Sequence, residues 1–99
     1  MELISMGNNP STIFRELYRK AQHRNGIIGS VEGSNPALEM NKQDGCYYVT
    51  YKEVIKSFLL EGYSESRANK HIDQWIDYDI LFVRYWNGFK YIGFSKDVS

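Results

Sequence analysis

Asn87-Gly88 stands between two runs, residues 81–86 and 89–94, that are dominated by Val, Ile, Leu, Phe, Tyr and Trp. Asn and Gly both tolerate the positive φ that a two-residue type I′ turn demands, so the pair specifies a β-hairpin and its register. Pairing outward sets Trp86 opposite Phe89, Tyr85 opposite Lys90, Arg84 opposite Tyr91, Val83 opposite Ile92, Phe82 opposite Gly93 and Leu81 opposite Phe94. Side chains alternate between faces. One face therefore carries Leu81, Val83, Tyr85, Lys90, Ile92 and Phe94, and the other Phe82, Arg84, Trp86, Phe89, Tyr91 and Gly93. The first is more aliphatic and is expected to lie on the helices. The second is expected to face outward, with Arg84 amid Trp86, Phe89 and Tyr91.

Upstream of the hairpin the chain reads as two closely spaced helices. Tyr47-Tyr48-Val49 is β-prone, and Thr50-x-x-Glu53 is a capping box that opens a helix. Val54, Ile55, Phe58 and Leu59 form its apolar stripe, and Glu61-Gly62 closes it. Ser64 caps the next helix, whose inner face is Ala68, Ile72, Trp75 and Ile76. Only the turn around Gly62-Tyr63-Ser64 separates the two, the layout of a helix-turn-helix.

The first half is less regular. Residues 1–8 show no pattern and read as a loose arm preceding one domain over 9–99. Asn9 is placed as an N-cap with Pro10 at the first helical position. Ile13, Phe14, Leu17, Tyr18 and Ala21 follow at helical spacing, and Asn25-Gly26 is expected to end the helix. Arg15, Arg19 and His23 fall opposite, flanked by Lys20 and Arg24, which is either an ordinary solvated face or a phosphate-facing stripe. The segment 26–46 reads as a long loop insertion with turn signals at Asn35-Pro36 and Asp44-Gly45. Within it Ile27–Val31 reads as a short strand, and Ala37–Met40 equally as a helical turn or a strand.

The 12 basic and 12 acidic residues cancel, so any contact with nucleic acid has to come from a local patch. Cys46 is the single cysteine, which excludes an intrachain disulfide and a cysteine-based zinc cluster and suits a reducing, cytoplasmic setting. No apolar run approaches a membrane span, and Met1–Met6 lacks the basic start and apolar stretch of a secretory leader. His23 and His71 lack metal-ligand spacing, no Gly-Lys-Ser/Thr follows the glycines at 26, 29 and 33, and no Ser/His/Asp arrangement stands out. No enzyme, cofactor, metal site or small-molecule ligand is expected.

The order helix, strand, helix, turn, helix, hairpin resembles a winged helix-turn-helix domain, an α+β fold of three helices and a short strand with a C-terminal β-hairpin wing. The run GYSESRANKHIDQWIDYDILFV resembles the family's core signature: Gly62, Tyr63 and Ser64 as the turn, Ala68 against the preceding helix, Ile72 and Trp75 toward the core, Ile80-Leu81 starting the wing. The resemblance covers Cys46–Ser95. It departs at the long 26–46 segment, and at Asp79, where many members carry Gly.

The resemblance implies that the second helix of the pair enters a DNA major groove while the wing touches backbone or minor groove. The positions so implicated are Ser66, Arg67, Asn69, Lys70, His71 and Gln74 on the helix, and Arg84, Trp86, Asn87 and Lys90 on the wing. Asp73 and Asp77 share the outer helix face, so docking is expected from its N-terminal half only. The bland readings are an ordinary polar helix face, and for the wing either cross-strand aromatic packing in the hairpin or a homodimer seam on its exposed apolar patch. The expected function is a small double-stranded-DNA-binding protein, dimeric, acting as a transcription regulator or as a plasmid- or phage-encoded accessory factor for replication or conjugative transfer. The alternative is a protein–protein interaction module, which net neutrality, the acidic half-helix and the aromatic wing face favour.

Overall fold

The computed structural model describes residues 9–27 and 36–96. The expected arm over 1–8 lies outside the described residues, as does most of the strand expected at 27–31. Within them the chain is α+β, with four helices and a three-stranded antiparallel sheet. In order these are α1 (Pro10–Ile27), α2 (Pro36–Asp44), β1 (Tyr47–Thr50), α3 (Tyr51–Leu60), α4 (Glu65–Asp77), β2 (Leu81–Trp86) and β3 (Phe89–Phe94).

Local signals set most of these boundaries. Asn9 Oδ1 accepts from the Thr12 amide at 2.9 Å and so caps α1. Thr50 and Glu53 close both halves of the capping box on α3. Ser64 Oγ accepts from the Arg67 amide at 3.2 Å at the start of α4. Asn87 and Gly88 adopt φ values of 51° and 83°, as a type I′ turn requires, and all six expected cross-strand pairs of the hairpin are present. Asp79 sits at φ 61°, the left-handed region that glycine enters without strain. Its carbonyl accepts from Ser95 Oγ at 2.6 Å, which ties the start of the hairpin to its end.

β3 is the central strand, with β1 on one side and β2 on the other, so the sheet order is β1-β3-β2. One face carries the main core: Val49, Leu81, Ile92 and Phe94 from the strands against Ile13, Leu17 and Ala21 of α1, Val54, Ile55 and Phe58 of α3, and Ala68 and Ile72 of α4. Phe14 joins α1 to α4 and the sheet, with ring centroids 5.0 Å from Trp75 and 5.4 Å from Phe94.

Four expectations are corrected. α1 runs through Asn25-Gly26 to Ile27, because a single interior glycine costs only about 1 kcal/mol and a packed helix tolerates it. Ile27 is therefore the last residue of that helix, not the first of a strand. The 26–46 segment is not simply a loop: Pro36–Asp44 is a helix, the fourth of the fold. Its two turns are too short to show a period, and its stability comes from the sheet it lies on. Leu59, placed in the apolar stripe of α3, is 47% exposed, and the neighbouring Leu60 is 74% exposed.

The fourth correction matters most. The sheet face expected to be surface carries a second core, formed by Ala37 and Met40 of α2 with Cys46, Tyr48 and Tyr91, against which Phe82 and Trp86 pack. Met40 is fully buried there, a burial that contributes about 1.5–3 kcal/mol. Helices thus pack on both faces of the sheet, while Tyr85 and Phe89 near the hairpin tip stay exposed.

Candidate functional site

The sequence-selected residues divide into two groups on opposite faces of the sheet. Arg84 and Trp86 point toward α2. The Arg84 guanidinium donates to Asp44 Oδ2 at 3.0 Å and to the Tyr48 hydroxyl at 3.4 Å, and also to Gln43 Oε1. It lies 5.5 Å from the centre of the Trp86 ring. Arg84 is therefore a tie between the end of α2 and the sheet, and its charge is balanced by Asp44. Both residues were expected on an outward face that shares its DNA side with α4; they instead pack toward α2, on the other face of the sheet.

Tyr48 completes this tie by donating to Asp44. Burial, then the bond to Asp44, push its phenol up to about 12 from an ordinary 10. Between those values the folded state holds a proton that the unfolded chain has already released, so stability falls as pH rises through that window. Tyr48→Phe is expected to remove this component. Urea midpoints measured below and above pH 10 should drop less steeply for the variant than for the parent chain.

The second group gathers on the other side. Ser66, Arg67, Lys70 and Gln74 are exposed on α4, and among the described residues Lys70 makes no ion pair. Arg67 lies over the Tyr63 ring, 4.5 Å from its centre. His71 is partly buried, its ring parallel to Phe58 with centroids 5.8 Å apart and facing Tyr63, so it braces α4 on α3. That packing sets it apart from the exposed reading set.

Tyr51 links this helix to the hairpin. Its hydroxyl donates to Asn69 Oδ1. Its ring lies under Lys90, with Nζ 4.0 Å from the ring centre, which favours an ammonium over the π face. Burial, with Glu65 and Asp73 nearby, raises the Tyr51 pKa and keeps the phenol a neutral donor at physiological pH. Sequence reading passed over Tyr51 because the first residue of a helix following a capping threonine carries no signal of its own. The chain Asn69–Tyr51–Lys90 joins the N-terminal half of α4 to the middle of the hairpin, with Asn87 at the exposed tip. Tyr85, paired with Lys90, is 65% exposed on the same face.

The rest of the surface offers little chemistry. A cleft of about 270 Å³ opens between α1 and one end of the sheet, lined by Tyr18, Gln22, Cys46 and Lys96 among others. The Cys46 thiol is buried, and burial followed by the nearby Asp44 raises its pKa, so it stays protonated and a poor nucleophile. No group of three or more His, Cys, Asp or Glu side chains is placed to hold a metal among the described residues. No helix among them is long and apolar enough to cross a membrane.

Comparison with family models, with curated proteins and with solved structures gives no match.

Proposed function

We propose that the chain is a small double-stranded-DNA-binding protein of the winged helix-turn-helix type. α4 serves as the groove helix and the β2–β3 hairpin as the wing. The observation that carries this reading is the link Asn69–Tyr51–Lys90, which makes the first half of α4 and the hairpin one surface. The order α1, β1, α3, α4, hairpin and the sheet order β1-β3-β2 support the fold resemblance. Ser66, Arg67, Asn69 and Lys70 face the groove, Gln74 follows one turn later, and Lys90 and Asn87 reach the flanking backbone or minor groove. Asp73 and Asp77 keep the second half of α4 away from phosphates. A role in transcription, or in plasmid or phage replication or transfer, is compatible with such a module.

The test is fluorescence anisotropy with a pool of random duplexes at two salt concentrations. Each lost phosphate contact lowers the salt slope by roughly one. Lys70→Ala and Lys90→Ala should both weaken binding and flatten the slope. Arg84→Ala should leave the slope unchanged, because that side chain is committed to Asp44. Binding that is absent with every duplex, or that ignores Lys70 and Lys90, would defeat the reading.

A second reading, a protein–protein interaction module, draws on the exposed Leu59 and Leu60 at the end of α3 and on Glu65 and Asp73 beside Tyr51.

A further inference from the structure

β2 is an edge strand. Its hairpin closes on the Trp86–Phe89 pair across a two-residue turn, and that closing pair exchanges both main-chain hydrogen bonds. Alternation makes Arg84–Tyr91 and Phe82–Gly93 the next hydrogen-bonded pairs. The N–H and C=O groups of Leu81, Val83 and Tyr85 consequently point away from β3, along an edge with which no strand pairs among the described residues.

Edges of this kind are normally blunted by proline, by a bulge, by lysine or by a covering element. β2 has six residues in regular pairing with β3, without proline. Its single charged side chain, Arg84, is drawn toward α2 and balanced by Asp44 at 3.0 Å. Val83 and Tyr85 meanwhile stand 37% and 65% exposed on the α4 side. Among the described residues the edge therefore combines main-chain groups that no strand pairs with, exposed apolar side chains and no unbalanced charge.

We infer that β2 pairs antiparallel with β2 of a second copy of this chain, about a two-fold axis through Val83, to give one continuous six-stranded sheet. The three outward-pointing residues are symmetric about Val83, so this register uses all of their main-chain groups, about six hydrogen bonds. It sets Val83 against Val83 of the partner subunit and Tyr85 against Leu81 of the partner subunit. On the other face Arg84 meets Phe82 of the partner subunit, so no like charges stand directly opposite. The chain carries no net charge, so two copies approach without bulk repulsion. The axis is perpendicular to the sheet, and both α4 helices lie on the same side of it. This pairing depends on the strand edge and not on the DNA-binding reading.

Sedimentation velocity of the full chain over a concentration series, with amide hydrogen exchange followed by NMR, tests it. Val83→Pro removes the central outward N–H while leaving the ladder to β3 intact, since proline is tolerated on the open side of an edge strand. Val83→Lys sets two ammonium groups across the axis and leaves the main chain unaltered. Both variants should raise the dimer dissociation constant by roughly tenfold or more with an unchanged circular dichroism spectrum. In the parent chain the Val83 and Tyr85 amides should gain protection as the dimer fills. A parent chain that stays monomeric throughout overturns the inference. So does a dimer that survives both substitutions, a dimer whose Val83 and Tyr85 amides exchange freely, or association that needs a different protein.

Discussion

Phe58→Ala is expected to cost about 3–5 kcal/mol, the range for truncating a fully buried phenylalanine. Phe58 has no exposed surface and lies where α3, α4 and their connecting turn meet. Its ring packs edge-on against Tyr63 at 5.2 Å, flat against His71, and tilted against Trp75 at 5.8 Å. Its carbonyl accepts from the Glu61 amide at 3.0 Å and the Tyr63 amide at 3.1 Å, so the same residue anchors the turn. Truncation leaves a cavity ringed by three aromatic side chains that their own elements hold in place, and the site collapses only in part. A domain of this size has a total stability of about 5–15 kcal/mol, so the variant is marginal or unfolded. Calorimetry should show the melting temperature down by more than about 12 °C, taking 4–8 °C per kcal/mol. A variant melting close to the parent chain would mean that Phe58 is not packed between α3 and α4. Because His71 and Trp75 set the angle of α4, any DNA affinity should fall in parallel even where the fold survives.

Gly93→Val is expected to destabilise the chain, against the usual sign for that exchange in a strand. Valine ordinarily gains over glycine there, by restricting the unfolded backbone and by packing on the pleated surface. Gly93 lies in the central strand between Tyr48 on β1 and Phe82 on β2. The two rings meet above it, edge to face with centroids 5.7 Å apart. A Cβ at Gly93 would stand 2.4 Å from Phe82 Cζ and 2.7 Å from Tyr48 Cε1, inside van der Waals contact with both. Tyr48 is held by Asp44 and by the second core, so it has little room to withdraw. Overpacking of this kind costs typically about 1–3 kcal/mol, and valine adds two methyl groups to the clash. Urea denaturation should show a lower midpoint for Gly93→Val. Adding Phe82→Ala should recover part of the loss, so that the two changes are non-additive. A midpoint at or above that of the parent chain would show that the rings are not seated over Gly93.

The hairpin was legible down to its pairing because Asn87-Gly88 sets the register through the chirality of the turn, a property of two residues. The same holds for Thr50 and Glu53 at α3, for Ser64 at α4, and for the spacing of Ile13, Leu17 and Ala21 on α1. α2 was legible only as one of two alternatives, a helical turn or a strand over Ala37–Met40, since Ala37 and Met40 are its only buried residues and two turns are too few for a period. Nothing in that reading placed it on the sheet, which led to the larger error, the assignment of Arg84 and Trp86 to an outward face. Alternation correctly separated the two faces of β2 and β3, but it carries no information on what covers each of them. Tyr51 was missed for a related reason: its hydrogen-bond partner lies 18 residues away, on another helix.

Short-range chemistry in the amino-acid sequence thus determined the caps, the turn, the strand register and the apolar stripes, because each depends on residues within about one or two turns of one another. The tertiary structure alone decided that a fourth helix covers the second sheet face, that Arg84 is spent on Asp44, and that Tyr51 joins α4 to the hairpin. Those outcomes depend on which distant segments come to share a surface, and the energies that choose among such arrangements arise only when the elements pack.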